Sequence, residues 1–370
     1  MNNKALFIYT HSSTFVRGDI SILRKKYNLK EYQFKNAPKN KLPLSLIKLF
    51  FYLLFNIYKF DLIYIWFADY HSFLPSLFAK LFGKRVYIVI GGYDVCREKK
   101  YSYGSFSKPL RAYLTGQSIK WASCNLCVSK NIERTVNAIA PNAKTTVIYN
   151  GVLVPEISLP TEAGSYLASA KDLSERKVLC VALVSTVQAF YIKGIDRYNR
   201  VASLLPHIQF ILIGCKPQIF TMANEKPSSN LTIVDAIPHN QLHNYYSTAH
   251  VYCQFSRRES FSLSLAEAMS YRMIPVIATT GGMPEVTGGL GFSLFFYEKS
   301  ARFIQDATTL DETTLDATTL NSEKEAAQLV KKALETEKSD TYRERVIKNL
   351  TLEIRETQLF EKLITQPCKK

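Results

Sequence analysis

Along most of the chain, short apolar runs rich in β-branched and aromatic residues alternate with longer stretches of helical pattern. That alternation is the strongest constraint on the fold. Strands separated by helices assemble into a parallel sheet covered on both faces. Strands are expected at 5–10, 29–34, 61–67, 85–90, 125–128 and 145–149, with helices at 19–26, 44–59, 74–82, 108–121 and 130–138. A polar stretch, 155–175, reads as a linker. The pattern then restarts, with strands at 177–185, 210–214, 231–234, 251–255 and 274–278 and helices at 195–205, 241–248 and 263–271. Two doubly wound α/β domains follow, 1–150 and 151–351. A pair of such units facing each other binds ligands beyond the carboxyl ends of the strands. Helical pattern continues at 322–335 and 342–363.

A length of 370 residues suits two domains, and 47% hydrophobic with 21% charged residues can fill two cores. Disorder and collagen-like structure are thereby excluded for the chain as a whole. The segment 306–320 is different, because it consists of the tandem pentapeptides DATTL, DETTL and DATTL. A period of five matches neither helix nor strand, so a surface loop is expected there.

The formal charge is +16, and it is concentrated. Residues 1–150 hold 23 Lys and Arg against 7 Asp and Glu, whereas 151–370 are balanced at 24 of each. An anionic partner for the first domain is expected, nucleic acid or an acidic membrane surface. No aromatic-basic motif or binding module supports nucleic acid. The most apolar stretch, 49–58, is ten residues long, short of the roughly 20 that span a bilayer. No transmembrane segment is therefore expected, nor is a signal peptide. The expected location is the cytoplasm, with association on the inner face of the cell membrane as the use of the charge. The helix at 44–60 is either buried on all sides or partly seated in the membrane interface.

The seven cysteines are scattered, and no disulfide framework is indicated. Cys124 and Cys127 form a lone C-x-x-C in an apolar run and read as buried strand thiols. No D-x-D and no His/Cys cluster with metal spacing occurs, so no metal or other cofactor is expected. His11 and His71 follow expected strands, near the cleft of such a fold, and read as local caps with a ligand role as the alternative, whereas His207, His239, His243 and His250 read as surface or packing residues.

The chemistry is concentrated in 256–286, SRRESFSLSLAEAMSYRMIPVIATTGGMPEV, a loop, a helix and a strand. Free amides at the helix start, around Ser262–Leu265, suit a diphosphate. The carboxylates Glu259 and Glu267 cannot bind phosphate but can accept hydrogen bonds from sugar hydroxyls. Anion at the amides and polyol at the carboxylates describe a nucleotide-sugar.

This segment resembles the retaining family 4 (group 1) glycosyltransferases of the GT-B fold, whose pattern is S-x-x-E-G-F-G-L-x-x-x-E-A-M-A-x-G-x-P-V-I-A followed by G-G-x-x-E. Glu259 and Glu267 match its two glutamates, and Pro275–Ala278, Gly281, Gly282 and Glu285 match the rest. Lys193-Gly194-Ile195-Asp196, the strand end at Gly214, Asn150-Gly151, and Gly92 with Asp94 resemble further family motifs. The resemblance implies two Rossmann-like domains facing across a cleft, 1–150 on the acceptor side and 151–351 holding the nucleotide-sugar, with a C-terminal helix (about 352–370) packing back on the first. It implies transfer of a sugar from a nucleoside-diphosphate-sugar donor to a glycan or lipid-linked acceptor hydroxyl with retention, in cell-surface polysaccharide or glycolipid synthesis. Lys193, Glu259 and Asp94 would be catalytic. Lys193 would neutralise the diphosphate, Glu259 would contact the transferred sugar, and Asp94 would face a sugar from the other domain. The amides of Phe261, Ser262 and Leu263 would lie near Glu259, Glu267 would hold the ribose, and Gly214 would also belong to the donor site.

The chain departs from the pattern in three places. The Arg that precedes the Lys in the family is missing, with Ser185 or Thr186 near its place. Arg17, Arg257 and Arg258 are the bases that could substitute. Ser260 and Ser262 replace the glycines beside Phe261, and Thr10–Thr14 replaces an N-terminal Gly-Gly loop. A non-catalytic GT-B partner, or an epimerase or phosphorylase on the same fold, are the alternatives.

Overall fold

The computed structural model describes residues 4–35, 41–156, 175–296 and 312–364. The chain divides into two compact units, one of 1–151 with 350–370 and one of 152–349. Most of the linker expected at 155–175 lies outside the described residues, as does Cys368.

The first unit is built on a six-stranded parallel sheet of β1 (Lys4–Tyr9), β2 (Asn28–Gln33), β3 (Leu62–Trp66), β4 (Arg85–Ile90), β5 (Cys124–Cys127) and β6 (Thr145–Val147). The strand order is β2-β1-β3-β4-β5-β6. All of β3 is buried, and so is β4 after its first residue, which explains runs such as LIYIW that do not alternate. Helices cover both faces of such a sheet, so neither set of side chains meets water. Edge strand β2, NLKEYQ, is only partly covered and is correspondingly polar. Cys124 and Cys127 are buried in β5, and burial pushes both thiols up.

The second unit repeats the plan with β7 (Lys177–Val184), β8 (Gln209–Cys215), β9 (Leu231–Val234), β10 (Val251–Gln254), β11 (Ile274–Ala278) and β12 (Phe292–Leu294). Its order is β12-β11-β10-β7-β8-β9, and again every pairing is parallel. After β9 the chain crosses back to lie beside β7 as β10. The carboxyl ends of β7 and β10 therefore flank the point where strand order reverses, the place where open α/β sheets bind ligands. In the first unit the same point lies between β1 and β3.

Two expectations need correction. The five-residue repeats do not form a loop throughout. Residues 306–311 lie outside the described residues, but the helix Glu312–Glu335 runs through the remainder. Extending a formed helix adds a hydrogen bond per residue without a new nucleus, so weak periodicity does not stop it. The pattern at 342–363 forms two helices, Asp340–Asn349 and Leu352–Ile364. Thr351 restarts the chain there, its hydroxyl accepting from the Ile354 amide at 3.3 Å. Leu42–Lys59 is helical throughout and is long and apolar enough, by length and composition, to cross a membrane.

The helix Leu352–Ile364 belongs to the first unit through a buried ion pair. Arg355 Nε and one terminal nitrogen donate to Asp19 at 2.6 and 2.8 Å, and its other terminal nitrogen donates to the Ile148 and Tyr149 carbonyls. Tyr64 and Trp66 complete the carboxylate's shell from β3. Removing one partner of such a pair strands a buried charge. Arg355→Leu is expected to lose about 3–5 kcal/mol in urea unfolding. The double variant Arg355→Leu, Asp19→Asn should recover part of that loss.

Candidate functional site

At the switch point of the second unit, β7 ends and Thr186 caps a short helix, Val187–Ile192, its hydroxyl accepting from the Ala189 amide at 3.1 Å. Thr186, which stands near the place of the missing Arg, is thus a helix cap. Lys193 follows, and its Nζ donates to Glu259 Oε2 at 2.8 Å. The sequence separates these residues by 66 positions, and the reversal of strand order brings them together.

Two glycines make the approach feasible. Gly194 has φ of +68°, and a Cβ on it would lie 2.0 Å from the Phe255 carbonyl oxygen. Gly281 has φ of +60°, and a Cβ there would lie 1.7 Å from the Glu259 carbonyl oxygen. That same carbonyl accepts from the Gly282 amide at 3.1 Å. The K-G and G-G elements are thus the two walls against which the loop after β10 is packed.

Glu259 is only 10% exposed, and its Oε2 also accepts from Gln254 Nε2 at 2.8 Å. Gln254 in turn accepts from Ser262 Oγ at 2.5 Å, and Ser262 Oγ accepts from the Leu265 amide at 3.3 Å to cap the helix Leu263–Ser270. Ser262 stands at φ of 84°, a conformation glycine favours. The family pattern has glycine there, and the serine is held by these two hydrogen bonds. Phe261 is buried, so its ring packs in the core and only its backbone can serve a ligand. Leu263 begins the helix, and Gly214 lies within β8 against the Ala182 carbonyl of β7. Gln254 was not singled out from the sequence, although a glutamine ending an otherwise apolar strand is the kind of buried polar residue that needs a partner.

Glu267 lies on the same helix and carries a different set of partners. His239 Nε2 meets its Oε1 at 2.7 Å, and the Tyr246 hydroxyl donates to its Oε2 at 3.0 Å. Burial, reinforced by the neighbouring carboxylate, pushes the Tyr246 hydroxyl well up, so it remains a donor. His239 therefore belongs to the site and is not merely a surface residue. Nothing in the local sequence links it to a glutamate 28 positions away.

Arg257 does not stand in for the missing arginine. It forks onto Asp196 at 2.6 and 2.7 Å and donates to the Tyr191 carbonyl at 2.7 Å. Asp196, of the K-G-I-D element, is thereby a structural anchor. Arg17, in the first unit, donates to the Ser12 carbonyl at 2.7 Å.

In the first unit Asp94 is fully buried. Its oxygens accept from the amides of Ala68, Gly91 and Gly92 at 3.1, 3.1 and 2.6 Å. The expectation that it faces a sugar is corrected: it staples the turns after β3 and β4. Burial pushes its carboxyl up to about 6, against the pull of those amides. His71 is likewise buried, with Nε2 at 2.9 Å from the Trp66 carbonyl, and burial pushes it down. Among the described residues, no three His, Cys, Asp or Glu side chains gather where a metal ion could be held.

Comparison with known proteins bears on this arrangement. Residues 178–306 match the family described as glycosyl transferases group 1, and residues 10–154 match glycosyltransferase family 4. The chain carries glycosyltransferase family domains in both halves. The fold is GT-B: the chain is similar to sucrose-phosphate synthase from Thermosynechococcus elongatus, at TM-score 0.67 and 17% identity over 98% of each chain. It is also similar to Anabaena HepE in complex with UDP and glucose, at TM-score 0.63 and 14% identity over 98% of this chain and 100% of that one. Among curated proteins it is 25% identical over 170 residues to the phosphatidylinositol N-acetylglucosaminyltransferase gpi3 subunit of Schizosaccharomyces pombe, covering 44% of this chain and 35% of that one. It is 25% identical over 114 residues to a phosphatidylinositol N-acetylglucosaminyltransferase subunit of Arabidopsis thaliana, covering 29% and 26%. The matched regions thus span about a third or less of those relatives. The group 1 match contains Lys193, Gln254, Glu259 and Glu267, whereas Asp94 falls within the family 4 match.

Two outcomes test this account. Gly194→Ala should lower the melting temperature by several degrees, since the added carbon meets backbone that cannot yield. For Asp94, the raised carboxyl binds its proton more tightly folded than unfolded. Its stabilisation is whole below about pH 3.8 and is lost as pH rises through about 6. The stability of the native chain relative to Asp94→Asn should therefore fall by about 3 kcal/mol between pH 3.8 and 7 in urea titrations. A difference that stays flat over that range contradicts the assignment.

Proposed function

We propose that this chain is a group 1 glycosyltransferase that moves a hexosyl unit from a nucleoside-diphosphate sugar to a hydroxyl of a glycan or lipid-linked acceptor, with retention of configuration. The reading rests on the Lys193–Glu259 pair at the β7/β10 switch point, 2.8 Å apart beside the start of the helix Leu263–Ser270. A diphosphate gains charge as it departs, and a cation already in place stabilises that charge without reorganisation. Lys193 takes this role, releasing its hold on Glu259 as the diphosphate arrives. Glu259 then accepts from hydroxyls of the transferred sugar, with Gln254 keeping the carboxylate aimed. Glu267 holds the ribose hydroxyls, exchanging His239 or Tyr246 for them. Amides of Phe261–Leu263 lie at the phosphate side.

The departing diphosphate takes the acceptor proton on the face it leaves, so no protein base and no protein-held metal is required. Asp94 acts at a distance, by shaping the turns of the acceptor-side domain. The UDP and glucose in complex with Anabaena HepE support a nucleotide-sugar donor. The names of the curated relatives, phosphatidylinositol N-acetylglucosaminyltransferases, support a lipid acceptor and so glycolipid synthesis.

The missing arginine favours one second reading, a donor-binding protein without turnover, because Arg257 is committed to Asp196. Thermal-shift measurements with UDP-, GDP- and ADP-sugars separate the two when followed by turnover. A true donor at 100 times its dissociation constant adds about 2.7 kcal/mol of stability. Glu267→Ala should abolish most of that shift. Lys193→Gln should leave binding within a few-fold and lower turnover by roughly 10²–10³. NMR of the product anomer decides retention, and an inverted product overturns it. Binding without any turnover in the native chain favours the second reading.

A further inference from the structure

The helix Leu42–Asn56 is turned the wrong way for water. Leu49 and Leu53, continued by Ile57 in the following turn, form an inner stripe that is fully buried in the first unit. On a helix at the surface of a soluble protein the opposite face is polar. Here it carries Leu44, Ile47, Phe51, Phe55 and Tyr58, spaced three or four apart and each more than half exposed. The helix Tyr70–Leu81 packs beside it, with Phe50 edge-on to Phe78 at 5.4 Å. Leu81, 69% exposed, and Phe82 end that neighbour on the same pair of helices. Clustered exposed aromatics and leucines of this extent mark an interaction surface.

Charge identifies the occupant. Residues 41–60 and 70–85, which make up the two helices and their ends, contain Lys41, Lys48, Lys59, Lys80, Lys84 and Arg85 and no acidic residue. Lys48 and Lys59 are exposed along the apolar stripe itself. A second copy of this chain would bring the same cations face to face, which disfavours self-association. Hydrocarbon beneath and anionic headgroups around satisfy both features together. Spanning is disfavoured as well, because withdrawing the helix would strip Leu49, Leu53 and Ile57 from the core they fill.

We propose that the outer stripe of Leu42–Asn56, with Tyr58, Leu81 and Phe82, lies in the headgroup–acyl boundary of an anionic bilayer, its lysines reaching the lipid phosphates. Interfacial helices bind in this way, by buried apolar area plus attraction to anionic lipid. Long lysine stems let the ammonium rise to the headgroups while the methylenes stay in the apolar layer. The lipid surface is a partner independent of the transfer reaction, so vesicle binding can fail or succeed whatever the enzymatic outcome.

The test is flotation of the full chain with vesicles of phosphatidylcholine alone and with 30% phosphatidylglycerol, at low and high salt. Binding is expected only with the anionic lipid, falling with salt. Phe51→Ser, Phe55→Ser should weaken it at least tenfold, and Lys48→Glu, Lys59→Glu should weaken it by fivefold or more per site. Both pairs change exposed side chains, and unchanged melting temperatures confirm folding. Phe55→Trp should shift its emission to the blue and be quenched by brominated acyl chains only when vesicles are present. Binding equal on neutral and anionic vesicles overturns the proposal. So does a bound fraction that only detergent extracts, which would indicate a span. A dimer in solution that Phe51→Ser, Phe55→Ser dissociates would assign the stripe to a second copy instead.

Discussion

The chemistry of the second unit depends on one close contact between backbones. The segment after β10 must lie against Gly194 on one side and Gly281 on the other, with no room for a side-chain carbon at either wall. Only then does Glu259 sit where Lys193 and Gln254 can both reach its carboxylate. The contact is steric, but its consequence is electrostatic. A carboxylate and an ammonium are placed at the switch point before any ligand arrives, and preorganised charge of this kind needs no rearrangement cost at the moment of reaction.

The two glutamates that look equivalent in sequence are held differently. Glu259 is nearly enclosed and paired with a lysine. Glu267 accepts from a half-exposed histidine and from a buried tyrosine. A pairing with an ammonium suits a group that must trade partners with an arriving anion. A tyrosine hydroxyl is readily exchanged for a sugar hydroxyl of similar strength, which suits the sugar-recognising role proposed for Glu267. The difference in partners gives each carboxylate its own chemistry although both come from one motif.

In the first unit the polar residues serve structure. Asp94 satisfies three backbone amides, and Asp19 gathers Tyr64, Trp66 and Arg355 in the interior. A buried carboxylate with so many donors is tolerated because each lone pair it lost to burial is replaced. The outer face of Leu42–Asn56 breaks this economy. It exposes a continuous apolar stripe, and lysines flank it.

What the sequence determined by itself was periodicity and local chemistry. Strand and helix alternation specified two parallel-sheet units, because strands buried on both faces must be continuously apolar. The spacing of Glu259, Ser262 and Glu267 placed two carboxylates around one helix start. The sequence also showed the charge imbalance and the apolar run at 49–58. Tertiary structure alone decided which residues meet across long separations: Lys193 with Glu259, His239 with Glu267, Arg257 with Asp196, and Arg355 with Asp19 336 positions away. It also decided that Asp94 points inward and that the apolar helix turns five large side chains outward. Those outcomes depend on packing between elements remote in the chain, and local spacing carries no information about which face of an element a distant neighbour will cover.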